Sequence, residues 1–168
     1  MAPFKSGFIS ILGRPNVGKS TLFNRFLGDK VAIVAERPQT TRRRILGIKK
    51  VEGSQLIFLD TPGIHPGGFE LNRRMTQTAV ASARDADILL FLVEAPSPLI
   101  EKDKKMMDSL QGSMGVPLLV INKIDLVKKE TLLPMIDQYQ GLLSFREIIP
   151  VSAISGDGTD LLLKVIVQ

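Results

Sequence analysis

Residues 8–20 of the chain read FISILGRPNVGKS, an apolar run that leads directly into a glycine-rich loop. The apolar run predicts a strand that ends at Gly13, and the loop matches the pattern G-x-x-x-x-G-K-S. Four apolar residues between positions 21 and 27 recur at helical spacing, which predicts a helix directly after the loop. This order of strand, loop and helix predicts a site for a nucleoside triphosphate.

The loop residues have the chemistry that phosphate groups require. Glycines let the backbone bring its N–H groups close to phosphate oxygens, and the following helix directs its positive end at the same anion. We expect Lys19 to reach the β- and γ-phosphates and the Ser20 hydroxyl to ligate Mg²⁺. The predicted phosphate-binding set is Asn16, Val17, Gly18, Lys19, Ser20 and Thr21. The alternative is a chance match in an ordinary turn, which the strand and helix on either side disfavour.

The rest of the chain alternates apolar runs with helical patterns, which predicts an α/β fold. Residues 45–51 and 56–59 form two strands whose short connection requires an antiparallel pair. Further strands are predicted at residues 88–93, 116–121 and 147–151, and further helices at residues 72–84, 132–145 and 159–167. We therefore expect one domain over residues 1–168, with about six strands in a mostly parallel sheet and helices on both faces. Ligands of such sheets bind at the carboxyl ends of the strands.

Composition excludes several classes of protein. The chain has no Cys, so it has neither disulfides nor thiolate metal sites. Its first ten residues lack the apolar run of a secretory signal, and no apolar stretch approaches the roughly 20 residues of a membrane span. The formal net charge of +5 is compatible with nucleic acid or with an anionic surface, including peripheral association with a membrane, but it requires neither.

A second motif, Asp60-Thr61-Pro62-Gly63, follows the strand predicted at residues 56–59. A carboxylate at that strand end can hold Mg²⁺ through its water shell, and the Gly63 N–H can bond the γ-phosphate because no side chain blocks the approach. The alternative is a β-turn after a strand.

The polar loop at residues 36–44 contains Thr40 and Thr41. A threonine there could complete the Mg²⁺ shell with its hydroxyl and contact the γ-phosphate with its N–H. Such a loop would be ordered by the triphosphate and released after hydrolysis. The alternative is an ordinary solvated loop.

A third motif, Asn122-Lys123-Ile124-Asp125, predicts that the base is guanine. The Asp125 carboxylate can accept both donors on one edge of guanine, whereas adenine would leave it unpaired, a difference worth roughly 10⁴ in selectivity. We expect Asn122 to tie its loop together and to reach N7, and the stem of Lys123 to cover the purine face. Ser152 and Ala153 follow the last predicted strand, and the Ala153 N–H is placed to meet guanine O6. The alternative for Asp125 is a helix N-cap.

These three motifs, in this order, resemble those of translation-factor-class GTPases, and the resemblance implies a Ras-like P-loop fold. Two finer features, residues 37–42 (RPQTTR) and residues 60–65 (DTPGIH), resemble the corresponding segments of the Era family of bacterial GTPases. The resemblance to this family extends over nearly the whole chain. Der and MnmE share the GRPNxGKS loop and an arginine-containing first switch, so they remain alternatives. Those relatives place the metal-binding threonine directly before the switch arginine, which favours Thr41 over Thr40.

The resemblance implies a GTP-hydrolysing switch in small ribosomal subunit assembly, with GTP or GDP and Mg²⁺ as ligands and a cytoplasmic location. In that family a KH domain binds the 3′ end of small-subunit ribosomal RNA. No KH-type loop occurs within residues 1–168, so we expect this chain to be the G domain alone. An ATP-dependent P-loop enzyme and a GTP-dependent scaffold with negligible turnover are the competing functions.

The resemblance leaves the water-positioning group open, because Ile64 occupies the position of the glutamine in Ras-type enzymes. His65 is a weak candidate for a base. Relatives with the same loop use the residue equivalent to Asn16 to ligate a monovalent cation, so the catalytic set expected here is Asn16, Lys19, Thr41 and Gly63, with K⁺ as a further ligand. The alternative for Asn16 is a residue that only shapes the turn.

Overall fold

The computed structural model describes residues 3–28, 45–59, 80, 81 and 83–168. Its strands are β1 Lys5–Gly13, β2 Ile45–Val51, β3 Ser54–Leu59, β4 Ile88–Glu94, β5 Val116–Asn122 and β6 Glu147–Pro150. Its α-helices are α1 Lys19–Leu27, α2 Glu101–Leu110, α3 Leu132–Gln140 and α4 Thr159–Val167. Two short 3₁₀ helices span Ile124–Leu126 and Lys129–Thr131, and residues 80, 81 and 83 are helical.

The six strands form one sheet in the order β2-β3-β1-β4-β5-β6. Strand β2 runs antiparallel to β3, and every other neighbouring pair is parallel. The predicted α/β class, the mostly parallel sheet and the single antiparallel strand are therefore confirmed. The carboxyl ends of β1, β4 and β5 lie side by side, because Gly13 is in register with Leu92, and Glu94 with Asn122.

The two faces of the sheet carry separate apolar cores, because side chains alternate along each strand. One face packs against α1 and α4, and its strand residues include Ile11, Leu92 and Val120. The other face packs against α2 and α3, and its strand residues include Phe91 and Ile121. Helices thus cover both faces of a sheet whose central strands are almost continuously apolar, as parallel sheets require.

Two predictions about helices need comment. The helix predicted at residues 132–145 ends at Gln140, five residues early, because Gly141 favours leaving the helix and the following Leu142 and Phe145 instead pack against the apolar core. The helix predicted at residues 72–84 lies mostly outside the described residues. Helix α2 was not predicted.

The first strand and the last helix meet at the end of the sheet opposite Gly13. The ammonium group of Lys5 donates to the carbonyl oxygens of Val167 and Gln168, at 3.2 and 3.5 Å. A cation near the C-terminus of a helix stabilises the last carbonyl groups. Across the described part of the chain, no helix has the length and apolar character that crossing a bilayer would need.

Candidate functional site

The loop between β1 and α1 has a backbone that glycine and asparagine adopt readily. Gly13, Asn16 and Gly18 have φ angles of 148°, 66° and 102°. A Cβ atom at Gly13 would collide with the carbonyl of Leu92 on β4, and one at Gly18 would collide with the side chain of Asn122. The loop therefore lies directly on the ends of β4 and β5, and the positive φ of Asn16 agrees with a turn-shaping role for that residue.

The side chain of Lys19 folds back under the loop. Its ammonium group donates to the carbonyl oxygens of Gly13 and Arg14, at 2.9 and 2.6 Å, and the residue is 5% exposed. Burial lowers the pKa of this ammonium group to about 8. A desolvated cation held by neutral carbonyl groups is suited to an anionic ligand, because an adjacent negative charge would favour the charged form.

Asn122, at the end of β5, connects two loops. Its Nδ2 atom donates to the carbonyl of Val17 at 2.9 Å, and its Oδ1 atom accepts from the backbone N–H of Ala153 at 2.9 Å. The side chain is buried. Asn122 therefore joins the phosphate loop to the segment that follows β6, whereas the sequence predicted a tie within a single loop.

The segment after β6 also forms a hydrogen bond with Asp125, which follows β5. Ser152 donates its hydroxyl to Asp125 Oδ1 at 2.7 Å, and the same hydroxyl oxygen accepts from the Ser155 N–H. Asp125 is exposed and lies inside the 3₁₀ helix Ile124–Leu126, so it is not a helix N-cap. Its carboxylate is therefore accessible to solvent, and the hydrogen bond from Ser152 orients it. The Ala153 N–H already bonds Asn122, so a contact with a base must share or replace that bond.

Lys123 bridges the phosphate loop and β4. Its backbone is left-handed, with φ 64°, and its ammonium group donates to the carbonyl of Asn16 at 2.7 Å. The same group forms an ion pair with Glu94, the last residue of β4. These two contacts fix the direction of the Lys123 stem across the mouth of the site. The part played by Glu94 was not predicted, because a single acid at a strand end has no local sequence signal.

The comparison with protein families agrees with this geometry. Residues 8–123 match the family described as 50S ribosome-binding GTPase. The chain belongs to this family. The match covers the phosphate loop and the first residues of the base motif, and thus most of the site built above.

Individual members of this GTPase family are also similar. The GTPase Era of Syntrophus aciditrophicus (strain SB) is 53% identical over 95% of the chain and 52% of its own length. Two solved Era structures are each 37% identical to this chain, which covers 56% of each of them. An Aquifex aeolicus Era variant bound to GDP·AlF₄⁻ matches 96% of this chain with a TM-score of 0.73. Era in complex with MgGDPNP and nucleotides 1506–1542 of 16S ribosomal RNA matches 97%, with a TM-score of 0.74.

These comparisons confirm the resemblance to Era that the motifs indicated. The chain spans about half the length of the curated relatives it matches. Within the site, the phosphate-loop residues and the base-motif residues come together as predicted. Thr41, Asp60 and Gly63 lie outside the described residues, as do Thr40, Ile64 and His65, so their predicted roles stay predictions.

Two arginine contacts next to the site were not predicted. Arg14 pairs with Asp103 of α2, and Arg25 of α1 donates to the carbonyl groups of Ala153 and Ile154. Both contacts join residues that are far apart in sequence, so no local sequence pattern predicts them. The fold brings them together because α1, α2 and the segment after β6 all border the carboxyl ends of the strands.

Proposed function

We propose that this chain binds GTP and GDP together with Mg²⁺ and hydrolyses GTP. The observation that carries the proposal is the position of Asn122, whose buried amide joins the phosphate loop to residues 152–156 (the base loop). The two loops thereby lie next to each other along the carboxyl ends of the strands. The Era structures bound to GDP·AlF₄⁻ and to MgGDPNP support the same ligands.

At the phosphate end, Lys19 and the N–H groups of residues 16–21 hold the phosphate groups. Ser20 supplies one oxygen ligand to Mg²⁺, and we assign Thr41 and Asp60 to the same metal. In the part of the chain that the structure describes, no three acidic or histidine side chains cluster into a ready-made metal site. Phosphate oxygens of the nucleotide would supply further ligands, as is usual for Mg²⁺. The ion adds positive charge beside the phosphates.

At the base end, Asp125 reads the two donors of guanine. Ser152 holds this carboxylate, and Asn122 and Ala153 form the floor next to it. The stem of Lys123 covers the purine face while its ammonium group stays on Glu94 and the Asn16 carbonyl. An adenine base in this position would leave Asp125 without a donor, so ATP should be a poor substrate.

The test is a side-by-side assay of GTP and ATP turnover with Mg²⁺. We expect slow hydrolysis of GTP and none of ATP above background. Faster ATP turnover would favour an ATP-dependent P-loop enzyme. GTP binding without any turnover in single-turnover conditions would favour the nucleotide-dependent scaffold.

Catalysis rests on Lys19 and on the predicted contacts of Thr41 and Gly63, because charge stabilisation dominates phosphoryl transfer. We assign Asn16 as a ligand of K⁺ beside the phosphates. Its exposed side chain is available for this, although its left-handed backbone also explains why asparagine suits the turn. The test is GTP hydrolysis at matched ionic strength in K⁺, Na⁺ and a large organic cation. Equal rates, or unchanged K⁺ stimulation in Asn16→Ala, would remove the assignment.

We place this activity in small ribosomal subunit assembly, in the cytoplasm. The support is the similarity to Era, one structure of which contains nucleotides of 16S ribosomal RNA. In a protein of the relatives' length, a KH domain after the G domain would carry the RNA contact, and peripheral membrane association is compatible with the net charge. The Der and MnmE types remain the alternatives.

The biological assignment can be tested by binding of small subunits to a form of the protein as long as its relatives. We expect binding with a GTP analogue, weaker binding with GDP, and no binding of the 16S fragment to residues 1–168 alone. Preference for transfer RNA would favour the MnmE type.

A further inference from the structure

The side chain of Arg25 forms hydrogen bonds with the backbone of the base loop. It lies in the last turn of α1, the helix that begins at Lys19 directly after the phosphate loop. Its Nε atom donates to the carbonyl of Ala153 at 2.9 Å, and its Nη2 atom donates to the carbonyl of Ile154. The planar guanidinium group holds its Nε and Nη2 donors in a fixed fork, so that each donor bonds one of two consecutive carbonyl groups.

The same short loop carries the base-reading contacts on its other side. Ser152 donates to Asp125, and the Ala153 N–H donates to Asn122. Ala153 is therefore fixed at both its N–H and its C=O group, the first by Asn122 and the second by Arg25. Movement of this loop would displace the hydroxyl group that orients the Asp125 carboxylate.

The loop backbone leaves room for the guanidinium group. Gly156 has a φ angle of 92°, and a Cβ atom there would stand 3.2 Å from Nη1 of Arg25. The Gly156 N–H donates to the Ser152 carbonyl, which closes the loop into a tight turn. The turn and the arginine thus fit against each other closely.

We infer that Arg25 is a positioning residue for guanine selectivity. It anchors the loop of Ser152 and Ala153 to the helix that follows the phosphate loop, so that Asp125 meets the guanine donors in a fixed direction. This inference rests on the proposed function, because it concerns how the proposed site distinguishes one base from another.

The test is the ratio of GDP affinity to inosine diphosphate affinity. Inosine lacks the 2-amino group, so this ratio measures the alignment of Asp125. We expect Arg25→Met, which keeps most of the stem and removes the donors, to lower the ratio about tenfold, the effect of one charge-assisted hydrogen bond. The ratio of GTP affinity to GDP affinity should change less than about twofold, since the phosphate end is untouched.

Controls separate alignment from stability. Arg146→Ala removes an exposed arginine before β6, at the opposite end of the sheet, and should leave both ratios unchanged. Arg25→Lys keeps the positive charge and a donor group without the guanidinium fork and should recover part of the lost selectivity. This variant also serves if Arg25→Met fails to fold.

An unchanged ratio of GDP to inosine diphosphate affinity in folded Arg25→Met would overturn the inference. If both affinities fell equally, with no recovery in Arg25→Lys, the role of Arg25 would be purely structural. A wild-type chain that fails to bind GDP would instead overturn the proposed function, so the two failures are distinguishable.

Discussion

The carboxylate of Asp103 lies 3.0 Å from Nε of Arg14 and thereby joins helix α2 to the phosphate loop. Asp103 is fully buried, and its other oxygen accepts a hydrogen bond from the hydroxyl of Tyr139 on α3, at 3.1 Å. The backbone carbonyl of Arg14 accepts from the Lys19 ammonium group. The residue that supports Lys19 is therefore itself held by two helices on one face of the sheet.

We predict that Asp103→Ala lowers the free energy of unfolding by about 3–5 kcal/mol, because it leaves a largely buried guanidinium group without its partner. Urea unfolding followed by circular dichroism would measure this. The matched control is Asp108→Ala on the same helix, whose exposed side chain should contribute about 0.5 kcal/mol or less. Equal losses in the two variants would show that the buried pair does not stabilise the fold.

The second prediction uses the fact that Tyr139 is the only tyrosine and that the chain has no tryptophan. Burial, and then the negative charge of Asp103, raise the pKa of the Tyr139 hydroxyl above its ordinary value of 10.0. Ultraviolet titration should therefore show tyrosinate near the ordinary pKa of 10.0 in urea, but only at higher pH in the folded chain.

The same shift in pKa predicts how stability depends on pH. Above the ordinary pKa of 10.0 the unfolded state loses the tyrosine proton while the folded state keeps it, so stability falls as pH rises. Tyr139→Phe should remove this part of the loss. A folded chain whose tyrosine titrates at the same pH as in urea would contradict the buried pairing with Asp103.

The third prediction compares two glycines with positive φ angles. Gly18→Ala places a methyl group against the Asn122 amide and should break its bond to Val17, whereas Gly28→Ala meets nothing within 4 Å. Both variants carry backbone strain of about 1–3 kcal/mol, because alanine rarely adopts a positive φ angle. We therefore expect nucleotide affinity to fall far more in Gly18→Ala, by about tenfold or more.

Affinity for GDP, measured by calorimetry on both glycine variants, checks this third prediction. Similar losses in the two variants would mean that the close approach between Gly18 and Asn122 does not matter for binding.

The fourth prediction is that Asp125→Asn shifts preference from GTP toward xanthosine triphosphate. Xanthine has a carbonyl where guanine has the 2-amino group, and an amide can donate to it. Asparagine also keeps an oxygen for the Ser152 hydroxyl, so the loop should stay in place. Competition binding between GTP and xanthosine triphosphate measures the change. The control is Asp157→Asn, in the turn that follows Ser152. Full GTP affinity without any gain for xanthosine triphosphate would exclude Asp125 as the base reader.

Much of the fold could be predicted because its strands are apolar runs with clear ends. The strand predicted at residues 88–93 spans Ile88–Glu94, and the last helix spans the predicted residues 159–167. Helix α2 escaped prediction because one of its core-facing positions is Asp103, which interrupts the apolar periodicity. A buried charge is invisible to a pattern that assumes apolar cores.

The phosphate and base motifs were predictable because each is local and each falls at a strand end. What could not be predicted is how the motifs are joined. The pairing of Lys123 with Glu94 spans 29 residues, and that of Arg25 with Ala153 spans 128. The partners in these contacts are ordinary charged residues and backbone groups, which become specific only when the sheet aligns them.

The contact of Lys5 with the carbonyls of Val167 and Gln168 has a topological consequence. Because the two ends of the described chain meet, a short linker could join them without stretching any strand. New ends could be opened at Gly112, in an exposed turn between α2 and β5, where an added Cβ atom would meet nothing within 4 Å. Such a permuted gene would encode the strands in a different order and still form the same sheet.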